Sequence, residues 1–374
     1  MIKMTKIIKV IIWVNARFLT RKVTGVERVA LELLRALAEN WLDPTGQVTH
    51  EGQHIHFKIL LDQTSTAEIP DYLAGWEIKR VGRFTGHAWE QFDLAFFNPH
   101  DQILSLCNTG PIFRRNHILF IHDAQVFAIP QNFDWKFRWW YRALLMVAGR
   151  YAKILLTNSA FSQQQLSHFV KIDAKKLNVI HLGCDHMLRF DGKTSNPAIA
   201  HLSDKPYVLA VSSLSPNKNF DGVINALNLL GNQAPHCVIV GQQYSKVFKG
   251  NRQAKENVTA VGYVTDEQLA NLYQGASALI YPSFYEGFGL PPLEAMMMGC
   301  PVVVSKTSSL PEICGAMGTY CDPSDPASIA NAIGSIMQKS PLSDNDRLPF
   351  KIYAKAFTWE KSAAKLLKAI MQRE

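Results

Sequence analysis

The chain has 374 residues, more than one ordinary core supports, and a prior of ~150 residues per domain predicts two or three domains. Its 47% hydrophobic and 19% charged residues are typical of a folded soluble protein, and they give no sign of disorder or of a solenoid. The net charge of +8 favours anionic partners, such as phosphates or acidic lipid headgroups. The six cysteines form no C-x-x-C pair and no zinc-ligand spacing, which favours reduced thiols in a cytosolic protein.

The N-terminal stretch combines early lysines with an apolar run, as a signal peptide does. Lys9 interrupts this run and no small-x-small cleavage site follows, so we predict a buried strand over Lys6–Val14. No apolar stretch reaches the ~18 residues that span a bilayer, because Arg150 and Lys153 break the run at Leu144–Thr157. We therefore expect a soluble or peripheral protein.

Short apolar runs alternate with helical patterns, which predicts βα units and parallel sheets. An apolar stripe at helical spacing predicts a helix over Gly25–Asn40. Further strands of the first half are predicted at His56–Leu61, His117–Ile121, Lys153–Thr157 and Leu177–His181.

The pattern stops at the segment DGKTSNPAIAHLSDKP, and we place a linker at 189–206. A second alternating series then follows. Its predicted strands are Tyr207–Ser212, Cys237–Gly241, Val258–Val261, Ala278–Tyr281 and Pro301–Val304. Its predicted helices are Phe220–Leu230, Glu267–Gln274, Pro291–Met298 and the closing helix Trp359–Gln372. The expected fold is therefore α/β, with two Rossmann-like doubly wound domains, 1–188 and 207–355, facing a cleft. We expect the helical segment 356–374 to pack back toward the N-terminal domain.

One loop of the second half carries the clearest chemistry. After the strand ending at Tyr281 come Glu286, Gly287 and Gly289, and then prolines that suit a first helical turn. The glycines let the backbone approach a ligand, and the helix start suits a phosphate. Glu294 then offers an acceptor to a ribose diol. A plain turn followed by a helix explains the same residues without any ligand.

Lys218 lies between a predicted strand and a predicted helix. As a point charge it suits a diphosphate, although an exposed lysine at a helix start is the alternative.

The segment from Val261 to about Ile333 resembles the donor domain of the retaining family 4 glycosyltransferases, which have the GT-B fold. These enzymes carry two glutamates eight positions apart, as Glu286 and Glu294 are. The resemblance implies that Glu294 binds the donor ribose, Glu286 the transferred sugar, and Lys218 the diphosphate. It further implies that the donor meets the backbone of the glycine loop and the turn flanking the base, at Tyr263, Val264, Gly287, Phe288, Gly289 and Leu290.

The sequence departs from the family at the diphosphate site. Many members place an arginine five residues before this lysine, where Ser213 stands here, and others place it directly before the lysine, where Asn217 stands. Lys218 is then expected to hold the diphosphate with backbone amides or an arginine from elsewhere.

The first half is expected to serve the acceptor. His122 ends a predicted strand and, by the resemblance, reaches the donor sugar, while a structural histidine is the alternative. Gly25 belongs to a stretch similar to the family's first glycine loop and is expected to close over the donor. Asn108, Arg28 and Asp123 are expected on the acceptor side, with Asp123 orienting a loop.

The segment Phe133–Arg142 mixes aromatic and basic residues. This composition suits an anionic membrane surface, and packing into the core is the alternative. No nucleic-acid motif accompanies it, and we expect no nucleic acid partner.

We therefore expect a retaining, metal-independent hexosyltransferase with no cofactor, acting in the cytoplasm or at the inner face of the membrane. The donor is a nucleoside-diphosphate sugar, with GDP-mannose favoured and a UDP-sugar as the alternative. The resemblance implies a glycan acceptor, often lipid-linked in this family, used in surface polysaccharide or oligosaccharide assembly. Another GT-B enzyme, such as a nucleotide-sugar epimerase, and a non-catalytic GT-B partner subunit are the alternatives.

Overall fold

The computed structural model describes residues 8–50, 52–194, 199, 206–211, 215–241 and 257–372. Its contacts divide the chain into two compact units, 1–183 with 359–374, and 184–358. The start and end of the second unit are joined, because the Cys184 amide donates to the Phe357 carbonyl oxygen over 3.1 Å. Gly192, at the start of the expected linker, accepts a hydrogen bond from Asn271 of the second unit. Most of that linker, 195–198 and 200–205, lies outside the described residues.

The first unit is built on one sheet. Its strands are β1 Ile8–Asn15, β2 Gln47–His50, β3 Gln53–Asp62, β4 Ile78–Val81, β5 Gln102–Ser105, β6 His117–Phe120, β7 Ile154–Thr157 and β8 Leu177–Val179. Their order is β2-β3-β1-β5-β6-β7-β8, with β4 also paired to β3. All these pairs are parallel except β2 with β3. After β1, the chain adds β3 and β4 on one side of this strand and then β5 on its other side. The switch point of the sheet therefore lies between β1 and β5.

The second unit is built on a six-stranded parallel sheet. Its strands are β9 Tyr207–Val211, β10 His236–Val240, β11 Val258–Gly262, β12 Ala278–Tyr281, β13 Val302–Ser305 and β14 Gly318–Cys321. The order β11-β10-β9-β12-β13-β14 is the 3-2-1-4-5-6 order of a Rossmann sheet, with the switch point between β9 and β12. The prediction of an α/β chain with two Rossmann-like doubly wound domains is confirmed.

Helices cover these sheets. Those of eight or more residues are α1 Gly25–Asn40, α2 Trp135–Tyr151, α3 Ala160–Val170, α4 Phe220–Leu230, α5 Asp266–Gly275, α6 Leu290–Met297, α7 Pro326–Met337, α8 Asp344–Ala354 and α9 Trp359–Met371. Shorter ones are Gly86–Ala88, Trp89–Asp93, Leu94–Phe96, Gln125–Ala128 and Leu310–Cys314. The C-terminal helix α9 packs on α1 of the first unit. No helix in the described ranges combines the length and the apolar character that crossing a bilayer needs.

The aromatic segment Phe133–Arg142 is divided between the core and the surface. Phe133 and Tyr141 pack against a core cluster of the first unit. Trp135 and Trp139 instead lie on the surface, with 60% and 68% of their areas exposed. Helix α2 therefore has one face in the core and another that presents indole rings to the surroundings.

Candidate functional site

The switch point of the second sheet brings two loops together. Strands β9 and β12 are adjacent and parallel, with Val208 opposite Ala278 and Leu209 opposite Leu279. Their carboxyl ends therefore lie side by side, and the loops that follow carry Lys218 and Glu286. In doubly wound sheets, ligands bind outside the carboxyl ends of the strands at such a switch point.

Lys218 is positioned by the turn Pro216–Lys218 and by the residue after it. Asn219 has a left-handed backbone, with φ of 58°, and its side chain caps α4 by accepting from the Gly222 amide. The same side chain donates to the carbonyl oxygens of Pro282 and Pro323, over 3.1 and 2.6 Å. Because these bonds tie three loops together, the lysine projects from a fixed backbone.

The Lys218 ammonium forms an ion pair at this position. Its Nζ lies 2.7 Å from Oε1 of Glu286 and 2.8 Å from the hydroxyl of Tyr281. The lysine and glutamate side chains are only 18% and 10% exposed. Burial and the neighbouring Glu286 carboxylate raise the pKa of Tyr281 well above its usual range, so the phenol stays protonated. An ammonium has three N–H groups, and among the described residues these two acceptors occupy two of them, so the third can meet a further acceptor such as a phosphate oxygen.

Two serines fix the loop that carries Glu286. Ser308 Oγ accepts a hydrogen bond from the Glu286 amide over 3.1 Å. Ser309 Oγ lies 3.0 and 2.9 Å from the carbonyl oxygens of Glu286 and Phe288. Gly289 then adopts φ of 102°, a left-handed conformation that favours glycine, and a Cβ there would lie 2.6 Å from Leu310. The path of the loop is thus determined by its neighbours.

Helix α6 begins directly after this glycine. The first four backbone N–H groups of a helix have no hydrogen-bond partner within the helix. Two of these four positions are Pro291 and Pro292, which have no N–H group. The amides of Gly289 and Leu290 are therefore the ones that can meet an anion at this helix start. Phe288 and Leu290 are buried, with exposures of 4% and 9%.

Glu294 lies in α6 and is held by two side chains. Its Oε1 lies 3.0 Å from Nε2 of His186, and its Oε2 lies 3.3 Å from the Tyr273 hydroxyl. Burial raises the pKa of Tyr273 well above its usual range, and the Glu294 carboxylate raises it further, so this hydroxyl donates to the carboxylate. The sequence did not single out His186, which lies 108 positions before Glu294 and has no motif around it.

The other residues of the second unit that the sequence analysis considers for the donor differ in exposure and in contacts. Val264 is buried, whereas Tyr263 is 67% exposed. Asn217 stands where some family members carry arginine, and here its Nδ2 donates to the Tyr285 carbonyl oxygen over 3.0 Å. It therefore ties loops together. Ser213, the other position of interest, lies outside the described residues.

His122 and its neighbours form a separate cluster in the first unit. Nε2 of His122 lies 2.8 Å from the Leu106 carbonyl oxygen, and its ring stacks on Phe120. Burial lowers the pKa of His122 to about 4, so the ring is neutral at pH 7. Asn108 accepts a hydrogen bond from the His122 amide over 2.7 Å, and Asp123 accepts from the Gln125 amide, which makes both of them loop-ordering residues.

The remaining first-unit residues lie at the start of α1. Gly25 is the first residue of the helix, and a Cβ there would meet nothing within 4 Å. Thr24 and Glu27 form a capping box around it, and Arg28 follows in the first turn. Across the part of the chain that the structure describes, no group of three His, Cys, Asp or Glu residues is arranged to hold a metal ion.

Comparison with known proteins shows similarity to glycosyltransferases. Residues 193–357 match the family model of the group 1 glycosyl transferases. The O-antigen chain mannosyltransferase B of Escherichia coli is 29% identical over 283 residues, which cover 70% of this chain and 72% of that protein. A GDP-mannose-dependent alpha-(1-6)-phosphatidylinositol dimannoside mannosyltransferase of Mycobacterium tuberculosis is 27% identical over 225 residues, covering 59% of this chain and 58% of that protein.

The same fold occurs in the Anabaena protein HepE, solved in complex with UDP and glucose. The two chains superpose with a TM-score of 0.68 over 97% of this chain and 99% of that one, at 18% identity. The family match makes residues 193–357 a group 1 glycosyl transferase segment, and the structural similarity shows that the chain has the GT-B glycosyltransferase fold.

Proposed function

We propose that this enzyme transfers mannose from GDP-mannose to a glycan acceptor, with retention of anomeric configuration and without a bound metal ion, in the assembly of a surface polysaccharide. The names of the relatives support the sugar: one is an O-antigen chain mannosyltransferase, and another is described as GDP-mannose-dependent. A UDP-sugar is the competing donor, since HepE was solved with UDP and glucose.

The observation that carries this proposal is the Lys218–Glu286 pair at the switch point between β9 and β12. It places a cation and a carboxylate side by side where a doubly wound sheet binds its ligand. The cation suits the diphosphate, and the carboxylate suits the hydroxyl groups of the transferred sugar. Glu294, oriented by His186 and Tyr273, suits the ribose hydroxyls.

Departure of the nucleoside diphosphate is the difficult step, because negative charge develops on its phosphate while the sugar becomes oxocarbenium-like. In the proposed mechanism, Lys218 and the amides of Gly289 and Leu290 stabilise this charge, since fixed donors need no reorganisation during the reaction. Glu286 orients the sugar and forms no covalent bond to it. The acceptor hydroxyl attacks the anomeric carbon from the face of the leaving group, so the configuration is retained, and its proton passes to the departing phosphate oxygen.

A panel of nucleotides tests the donor. A ligand that binds the folded state raises the apparent stability by about 2.7 kcal/mol at a hundredfold excess over its Kd. We expect GDP and GDP-mannose to raise Tm more than UDP, ADP, dTDP or their sugars.

Transfer to octyl α-D-mannoside, followed by NMR of the product, tests whether the anomeric configuration is retained. Activity in excess EDTA tests the independence from metal. An inverted product, or conversion of the donor without any acceptor, contradicts the proposal.

We also propose that the exposed face of α2 contacts an anionic membrane surface, which places the enzyme at the cytoplasmic side of a membrane beside a lipid-linked acceptor. Trp135 and Trp139 supply exposed indole rings, and Lys136 and Arg138 supply positive charge between them. Sedimentation with phosphatidylglycerol vesicles is expected to fall at least threefold for Trp139→Ala, and wild-type sedimentation with phosphatidylcholine alone is expected to be weak. Equal sedimentation of the two proteins contradicts this contact.

A further inference from the structure

Three neighbouring strands of the first unit end on buried polar residues. β1 ends at Asn15, β3 at Asp62 and β5 at Ser105, with exposures of 5%, 7% and 1%. These strands lie side by side in the order β3-β1-β5, and the switch point of the sheet falls between β1 and β5. The first unit therefore has its own polar site where a doubly wound sheet binds ligands.

A buried network supports this edge of the sheet. Glu90 is only 1% exposed, and its Oε1 accepts from Asn15 Nδ2 over 2.9 Å and from the Thr109 hydroxyl over 3.1 Å. Arg17 Nε lies 3.4 Å from the same oxygen, and His87 Nδ1 lies 3.1 Å from Oε2. A buried carboxylate is costly unless it is paired and hydrogen-bonded. These contacts satisfy Glu90 and fix the positions of Arg17 and His87.

A cavity of about 460 Å³ opens above this network. Its wall includes Arg17, Arg21, Asp62, Thr64, Ser65 and His87. This volume lies in the range of small-molecule sites, about 300–1,000 Å³.

Asp62 presents an acceptor to this cavity. Its Oδ1 accepts from both the Thr64 amide and the Thr64 hydroxyl, over 3.1 and 2.6 Å. These bonds fix the carboxylate, and within the described part of the chain Oδ2 is left to accept from a ligand. The hydroxyl groups of Thr64 and Ser65 add donors and acceptors nearby.

The charges of the wall decide between a neutral and an anionic ligand. Arg17 faces Glu90, and Arg21 Nη1 lies 3.1 Å from Oε1 of Glu27. Both arginines are therefore already paired with carboxylates, and Asp62 adds a negative charge. Such a wall disfavours a phosphate and suits a neutral ligand with several hydroxyl groups.

We propose that this cavity is the subsite for a neutral sugar residue at the acceptor's end, with Asp62 accepting a hydrogen bond from one of its hydroxyl groups. This inference rests on the proposed function, because it presupposes a glycan acceptor. All the residues of the subsite belong to the first unit, and none of the donor residues of the second unit takes part in it.

The test is Asp62→Asn, which keeps the Oδ1 contacts to Thr64 and removes the negative charge at Oδ2. The KM for octyl α-D-mannoside is expected to rise about tenfold, the effect of losing one charge-assisted hydrogen bond. The KM for GDP-mannose and the slow hydrolysis of GDP-mannose without acceptor are expected to change less than twofold. Saturation-transfer NMR of octyl α-D-mannoside provides a binding readout that needs no turnover.

Asp71→Asn is the matched control, because Asp71 lines a different cavity of the same unit, of about 620 Å³. It is expected to leave both KM values unchanged. The inference is overturned if Asp62→Asn leaves the acceptor KM and the NMR signal unchanged, or if octyl β-D-glucuronide, an anionic probe, binds more tightly than the mannoside. A wild-type enzyme that neither transfers nor hydrolyses any nucleotide sugar refutes the proposed function itself, which distinguishes the two failures.

Discussion

Replacing Lys218 by methionine separates the catalytic role of the lysine from its role in stability. The methionine side chain would keep much of the aliphatic stem but lose the ammonium that lies 2.7 Å from Glu286. Glu286 then remains as a largely buried carboxylate without its cation. A second substitution, Glu286→Gln, completes a double-mutant cycle. It removes the charge of that carboxylate and keeps the shape of the side chain.

The magnitudes follow from the burial of the pair. Removing one partner of a buried pair costs about 3–5 kcal/mol, and the 18% and 10% exposure of these side chains places this pair at the lower end. For a unit of this size, a loss of about 3 kcal/mol lowers Tm by about 6–12 °C. Catalysis is affected separately: loss of one fixed donor to the developing charge reduces kcat by about 10²–10³.

Differential scanning fluorimetry and transfer kinetics of both single variants and the double variant measure the two effects. We expect Lys218→Met to lose both stability and kcat. The double variant is expected to regain most of the stability, because no unpaired charge remains, and none of the activity. A Lys218→Met enzyme with wild-type kcat, or a double variant that recovers activity together with stability, refutes this reasoning.

Three further predictions address other parts of the two units. His186→Ala is expected to raise the donor KM about fivefold with little change in kcat, because Glu294 loses one orienting hydrogen bond worth about 1 kcal/mol; an unchanged KM argues against this role. Gly289→Ala is expected to cost about 2 kcal/mol and to lower kcat, since φ of 102° strains alanine and its Cβ meets Leu310; thermal unfolding measures the cost. His122 has a folded pKa of about 4, below its usual 6.5, so the unfolded chain binds the proton first as pH falls. The stability that this histidine contributes is therefore complete above about pH 6.5 and falls by about 1.4 kcal/mol per pH unit down to the folded pKa. Urea unfolding of the wild type and of His122→Gln at pH 7 and 5 isolates this contribution, because the buried His117, whose pKa is lowered to about 3, is present in both proteins.

Much of the fold was predictable because local signals agree with it. The helices Gly25–Asn40 and Phe220–Leu230 have the predicted ends, since a capping box at Thr24 and a cap at Asn219 begin them. β5 was not predicted, because its four residues include only two apolar ones, Ile103 and Leu104, too few to stand out as an apolar run. β2 was also missed, since it pairs antiparallel at the edge of an otherwise parallel sheet.

Part of the candidate site could be predicted, because its residues come directly after the ends of strands. Lys218 and Glu286 follow strands that prove to be adjacent, and the sheet order brings them together. His186 was not predictable, because its contact with Glu294 depends on tertiary packing rather than on spacing. The buried Glu90 network was missed for the same reason: its members come from separate segments, and only the folded sheet unites them.

Isothermal titration of GDP and GDP-mannose tests most directly whether the second unit's switch point is the donor site. If Glu294 binds the ribose, Glu294→Gln weakens both ligands by the same factor, about tenfold for a lost charged hydrogen bond. If Glu286 binds the sugar, Glu286→Gln weakens GDP-mannose by more than the small effect that it has on GDP. Wild-type affinity of both variants for both ligands contradicts the account.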